Sequence, residues 1–200
     1  MFHRVQTKED HFVFEQLWGD FCEERNIQFV ERNLQPERFL LEDDGNKYIG
    51  TVECAKYVHP QESNSEYFYK FSSNSIIQRH EQNLYEIGKF MIERQFRGRG
   101  YFKRLAAILF IHALETKATT YITVVTKRMY MYLLFLGFKI DTLDKEFRIN
   151  EVMIGVPIMI NAYEGMKHVY SIKEIRDVIK TNAYAMQLLN NNDNRITLSE

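Results

Sequence analysis

In this chain of 200 residues, the four-residue turn Arg97-Gly98-Arg99-Gly100 has the types and spacing that point most directly to chemistry. Two residues without a Cβ let backbone amides approach a ligand closely and take angles that other residues avoid. Upstream, Tyr85 to Glu93 alternates in the manner of a strand; downstream, Phe102, Leu105, Ala106, Leu109 and Ala113 recur at the spacing of one helical face. The turn therefore sits where a helix begins, and there the first amides lack an internal partner and the dipole presents partial positive charge. Arg94, Arg97, Arg99, Lys103 and Arg104 add cations with no acidic residue among them. The chemistry this predicts is an anion cradle for a phosphorylated ligand. A solvated basic helix start after an ordinary strand–helix turn fits the same letters.

Composition bounds the rest. With 45% hydrophobic content and few Pro or Gly, the chain reads as one globular domain over residues 1–170. A C-terminal helix and tail over 171–200 would pack on that domain or on a second subunit of a homodimer. A formal charge of -1 argues against a bulk polyanion, which makes the basic turn a local ligand site and leaves nucleic acid out as a partner. Cys22 and Cys54 lack metal-like spacing and read as reduced structural thiols. The start, MFHRVQTKED, has no apolar core of a signal segment, and no apolar run approaches the ~20 residues that span a bilayer. The expectation is a soluble cytoplasmic protein with no membrane partner. The six His residues have no partners at nucleophile or metal spacing, so neither a triad nor a metal site is expected.

The elements that must position the turn follow from periodicity. Phe2 to Gln6 reads as a first strand, and Thr7-Lys8-Glu9-Asp10 as a capping box opening a helix whose buried face is Phe14, Leu17, Trp18, Phe21 and Cys22. Asn26 to Gln35 is indistinct and could hold a second short helix. Arg38 to Glu42 and Lys47 to Tyr57 flank an Asp43-Asp44-Gly45-Asn46 turn and predict a hairpin. From His59 to Asn83 the chain is polar, with an aromatic island at Tyr67, Phe68, Tyr69 and Phe71. An insert that long should fold in part, pinning itself to the body or forming a lid near the site. Thr119 to Thr126 reads as a buried strand parallel to Tyr85–Glu93, since a helix connects them. Arg128 to Leu136 is a short helix ending at Gly137, and Phe138 to Leu143 and Val152 to Ala162 are the last strands. Ser171-Ile172-Lys173-Glu174 reads as a second capping box, opening a helix with Ile172, Ile175, Ile179, Ala183 and Met186 on one face, with a frayed tail from Asn190 to Glu200.

The strand, turn and helix from Tyr85 to Phe110 resemble motif A of the GNAT superfamily of acyl-CoA N-acyltransferases, in which Arg/Gln-x-x-Gly-x-Gly/Ala binds the CoA pyrophosphate. Two registers match: Gln95 to Gly100, and Arg97 to Phe102. The second keeps the family's spacing from Ile92 to Arg97 and from Arg97 to Leu105, with Phe102 at a position that is usually small. Phe135-Leu136-Gly137-Phe138 resembles the end of that family's motif B. The resemblance implies an α/β (α+β) fold with a central mixed, mostly antiparallel sheet, one splayed parallel strand pair and flanking helices.

It also implies a reaction in which acetyl-CoA or another acyl-CoA serves as co-substrate without a metal, and a small-molecule or peptide amine accepts the acyl group. Arg97, Gly98, Arg99, Gly100, Tyr101, Phe102 and Lys103 would hold the pyrophosphate, and the amides of Met91 and Ile92 the pantetheine and thioester. Glu86, six residues before Ile92, falls where many such enzymes carry a general base, although a structural carboxylate fits the same position. The usual Tyr acid is replaced by Leu133, and Tyr130, nearly one turn back, is the better substitute, ahead of Tyr132. Two further readings stay open: a long-chain acyltransferase similar to N-acyl amino acid or acyl homoserine lactone synthases, fed by acyl carrier protein, and a CoA-binding sensor without catalysis.

Overall fold

The computed structural model describes residues 2–28, 31–32, 35–79 and 83–191. Strand β1 (Phe2–Arg4) leads into helix α1 (Lys8–Arg25), and the hairpin β2 (Glu37–Glu42) and β3 (Tyr48–Lys56) follows. After the insert come β4 (Leu84–Ile92), helix α2 (Phe102–Thr116), β5 (Thr120–Thr126), helix α3 (Lys127–Phe135), β6 (Asp141–Thr142), β7 (Phe147–Arg148) and β8 (Ile154–Asn161). Helices α4 (Ala162–Ser171), α5 (Lys173–Lys180) and α6 (Ala183–Asn191) close the described chain. Among the described residues one sheet of eight strands runs β1-β2-β3-β4-β5-β8-β6, with β7 also on β8. Every pairing is antiparallel except β4 with β5. This is the mixed sheet with one parallel pair that the strand–helix–strand order predicts.

Local chemistry sets the ends of these elements. Thr7 accepts from the Asp10 amide while Asp10 accepts from Thr7, so the predicted capping box opens α1. Asn26, in the left-handed region, closes it. Helix α2 is apolar on almost every side because it is covered twice. Leu105 and Ile108 meet the sheet, while Ala107, Phe110, Ile111 and Leu114 meet α4, α5 and α6 through Val169, Ile175, Ile179 and Ala185.

Three expectations are revised. Ser171 does not cap a new helix: its hydroxyl donates back to the His168 carbonyl and ends α4, which Asn161 opens by accepting from the Glu164 amide. The single helix expected from Ser171 is two, α5 and α6, because Asn182 accepts from the Ala185 amide and restarts the chain, and α4, not expected, precedes them. Between α3 and β8 the paired strand from Phe138 shrinks to Asp141–Thr142, and the short β7, not expected at all, occupies the edge near the start of β8. Of the indistinct stretch Asn26 to Gln35, residues 29, 30, 33 and 34 lie outside the described residues, as do residues 192–200 of the expected tail.

Among its described residues the insert folds as four single turns of 3-10 helix. Phe71 and Ile77 are buried against Leu84, Ile122 and Met159, so the aromatic island pins the insert to the sheet face opposite α2. Residues 80–82 lie outside the described residues.

Candidate active site

Strands β4 and β5 pair in parallel only at Leu84–Thr120, Tyr85–Tyr121 and Glu86–Ile122. Beyond that point β4 stays with β3 while β5 stays with β8 as far as Thr126–Gly155, so the two arms open a V whose vertex is Glu86–Ile122. The β4 arm is irregular. Thr51 pairs with Met91 and Glu53 with Gly88, so Val52 alone opposes both Lys89 and Phe90, and Lys89 takes a φ of 45°. The extra residue changes which face each side chain takes. Ile87 and, past the bulge, Phe90 and Ile92 join the α2-side core, whereas Met91 packs under α1. Gly50 makes the closest approach possible, since a Cβ there would come within 2.6 Å of the Met91 carbonyl.

The basic turn follows directly. Gly98 and Gly100 have φ of 77° and 88°, which L side chains rarely adopt, and no side chain caps the first amides of α2. Arg99 is exposed, and Lys103 reaches Glu174 of α5 at 3.2 Å. Arg97 is engaged elsewhere. Its Nη1 and Nη2 meet the two carboxylate oxygens of Glu24 at 2.7 Å each, its Nε donates to the Ile92 carbonyl at 2.7 Å, and its guanidinium lies over the Phe21 ring. The Arg97 guanidinium holds the Glu24 carboxyl below the usual range. The amides from Gly98 to Phe102 and the exposed Arg99 are thus the groups left open at the turn, with the Lys103 ammonium shared with Glu174 and its amide donating to the Gly100 carbonyl.

Glu86 lies at the vertex with 2% exposure. Its carboxylate accepts from the Ser63 hydroxyl at 2.5 Å and from the amides of Asn64 and Ser65 at 3.1 and 2.9 Å. All three donors belong to the insert, so in this structure Glu86 anchors the insert at the point where the strands part.

A charge network that period-2 reasoning missed surrounds the bulge. The Lys89 side chain, 1% exposed, contacts Glu31, Glu15 (3.4 Å) and Glu53 (3.4 Å). Arg38 reaches Glu53 at 2.8 Å, Glu15 at 2.9 Å and Glu31 at 3.1 Å. Asn64 donates to Glu53 and Glu31 and, through its own amide, joins the network to Glu86. Burial pushes the Glu53 carboxyl up against the pull of Lys89 and Arg38. The visible signal was opposite charges inside two adjoining strands, Glu53 and Lys89, where apolar residues are expected.

On the other arm, Thr126 caps α3 by accepting from the Met129 amide. Leu133 is buried with Val156 and Ile158, and Tyr130 packs on the same cluster as Val125 and Phe102. Among the described residues the Tyr130 hydroxyl has no hydrogen-bond partner. Tyr132 is more exposed and meets the Phe102 ring edge-on at 5.2 Å, which places it at the start of α2. Between α1 and the end of β4 runs a cleft of about 570 Å³ lined by Asp20, Phe21, Glu24, Met91, Glu93, Arg94, Gln95 and Arg97. A smaller one of about 280 Å³ ends at Lys89, beside Trp18 and Glu31. Asn150, in the β7–β8 turn, donates to the carbonyls of Arg25 and Asn26 and ties β8 to the end of α1. Among the described residues no group of three His, Cys, Asp or Glu could hold a metal ion, and no helix is long and apolar enough to cross a membrane.

Several solved structures share this architecture. A CoA-dependent acyl-homoserine lactone synthase, BjaI, solved with SAM and isopentyl-CoA, superposes with a TM-score of 0.64 at 11% identity, over 86% of this chain and 88% of its own. FeeM, an N-acyl amino acid synthase from uncultured soil microbes, gives 0.63 at 12% identity over 82% and 92%. The acyl homoserine lactone synthase LasI gives 0.64 at 14% over 86% and 93%. Comparison with curated protein sequences gives no match. Residues 6–138, which carry α1, the V, the basic turn and α3, match the Acetyltransferase (GNAT) family, and the chain belongs to it.

Proposed function

We propose that this protein is an N-acyltransferase that moves an acyl group from an acyl-CoA to a primary amine by direct attack. The observation that carries the reading is the V between β4 and β5, with the basic Gly turn just past the open end of its β4 arm. A pantetheine laid between the arms can hydrogen-bond to strand amides that β5 leaves open, and the pyrophosphate then falls at the start of α2. There the amides from Gly98 to Phe102, with the side chains of Arg99 and Lys103, neutralise it. The amides of Met91 and Ile92 grip the pantetheine near the thioester.

Three roles complete the reaction. Glu86 takes the proton of the attacking amine, whose N–H groups replace the donors of Ser63, Asn64 and Ser65 on its carboxylate. Phe102, too large to allow the closest approach of the pyrophosphate, leaves the turn amides as its main ligands. Tyr130, with a free hydroxyl beside the β5 arm, returns a proton to the leaving thiolate.

A second reading is favoured by the similarity to BjaI, FeeM and LasI: a longer acyl chain, delivered by CoA or by an acyl carrier protein. Purifying the protein and identifying by mass spectrometry what accompanies it tests both. Acetyl-CoA supports the first, and a long acyl group on phosphopantetheine or a carrier protein supports the second. A protein that neither retains nor binds any acyl-CoA refutes the proposal.

A further inference from the structure

What the acyl group itself meets follows from the vertex, given the acyl-transfer reading on which this inference rests. Glu86 and Ile122 lie side by side there. Side chains alternate along a strand, so Glu86 shares its face with Gly88, and Ile122 shares the same face with Val124. That face carries the insert: the donors to Glu86 come from it, and its turn Ser65–Tyr67 lies against both β4 and β5. Gly88 has no side chain, and among the described residues a Cβ there would meet only the Glu53 carboxylate within 4 Å, at 3.7 Å. One step past the vertex there is therefore a notch, with Gly88 as its floor and Glu86 and Val124 at its sides.

Each way out of the notch is closed to a hydrocarbon chain. In the plane of the sheet, the pairs from Leu84–Thr120 to Glu86–Ile122 join the strands. Toward α2, Ile87 and Tyr121 belong to one packed cluster with Leu105 and Ile108. On the insert side Phe71, fully buried, packs with Ile122, Ile77 and Met159, and Tyr69 meets the Phe71 ring at 5.0 Å. Toward the bulge stand Lys89, Glu31 and Glu53, among whose charges buried methylenes gain nothing.

We propose that Phe71 is the specificity-determining wall that sets acyl length, so that the donor is a short acyl-CoA, acetyl or propionyl, and a hexanoyl chain has no place to lie. Extra methylenes driven into a close-packed interior force side chains off their rotamers, and the Phe71 ring, held by Tyr69 and Ile77, has no room to yield.

Calorimetric titration of the full chain with CoA, acetyl-CoA, butyryl-CoA and hexanoyl-CoA tests this and needs no acceptor. Wild type should bind hexanoyl-CoA about tenfold or more weakly than acetyl-CoA. Phe71→Leu, which shortens the wall and keeps it apolar, should narrow that gap while CoA and acetyl-CoA affinities stay as in wild type. Val124→Leu adds a methylene at the side of the notch and should weaken acetyl-CoA but not CoA, which keeps the proposal open to refutation even if Phe71→Leu does not fold. Hexanoyl-CoA bound by wild type as tightly as acetyl-CoA overturns the proposal and leaves acyl transfer standing with a longer chain. A gap unchanged in folded Phe71→Leu, or acetyl-CoA affinity unchanged in folded Val124→Leu, overturns it as well. A wild-type protein that binds neither CoA nor any of these acyl-CoAs removes the acyl-transfer reading and this inference with it.

Discussion

Arg97 and Glu24, 73 residues apart, form a two-pronged pair with both contacts at 2.7 Å, so the first cation of the donor turn is a strut between α1 and the end of β4. Arg97→Lys replaces the fork by a point charge and should cost ~1 kcal/mol or less of stability, because the pair is partly exposed. CoA affinity should change less than tenfold, as titration calorimetry would show. The pair also gives a pH signature. Glu24 is held below the usual carboxylate range, so its contribution is present above that range and is lost as pH falls through the lowered value. Thermal unfolding followed from neutral to acid pH should show a shallower decline in Glu24→Gln than in wild type over that window.

Gly100 behaves differently. A Cβ there meets open space, but φ of 88° is strained for any L residue. Gly100→Val should flatten the turn and weaken CoA binding by more than tenfold, about 1.4 kcal/mol, with the fold intact. Unchanged CoA affinity in a folded variant would remove the turn from the donor site.

The strand, turn and helix around these residues were legible because period-2 and period-3.6 patterns meet at the glycines, and the hairpin and the parallel pair followed from turn letters and connection length. The bulge was not. An extra residue at Lys89–Phe90 changes the face of everything after it, yet Phe90, Met91 and Ile92 are all apolar, so alternation carries no mark of the slip. The partners of Arg97 and Glu86 were hidden for another reason: Glu24 and Ser63 to Ser65 arrive through the fold, and no local rule ties them to the strand. Ser171 misled because a hydroxyl can bond backward to the preceding turn as well as forward to a new helix.

Glu86 carries a prediction with two readouts. Glu86→Gln removes the base, so turnover should fall by roughly 10²- to 10⁴-fold, with the loss shrinking as pH rises toward the acceptor amine's own pKa. The same change puts an amide against donors from Ser63, Asn64 and Ser65, so hydrogen exchange over those residues should quicken. Faster exchange with parallel pH–rate profiles would leave Glu86 as the anchor of the insert only.

Tyr130→Phe should lower turnover without changing CoA affinity, since the ring still fills its place beside Leu133 and Val156 while the proton donor is gone. Tyr132→Phe keeps the contact with Phe102 and should leave turnover unaltered. Steady-state kinetics of the two variants side by side would separate them, and equal effects would contradict the assignment.

The central claim is transfer of an acyl group from a thioester to an amine within the V. Its most direct test follows thiol release from a ladder of acyl-CoAs, short to long, against a panel of primary amines, with the products read by intact mass. The account predicts an amide whose mass is that of acceptor plus acyl group, formed at a rate that depends on both partners. CoA bound at the turn with no thiol released from any pairing would contradict it and leave a binding protein in place of an enzyme.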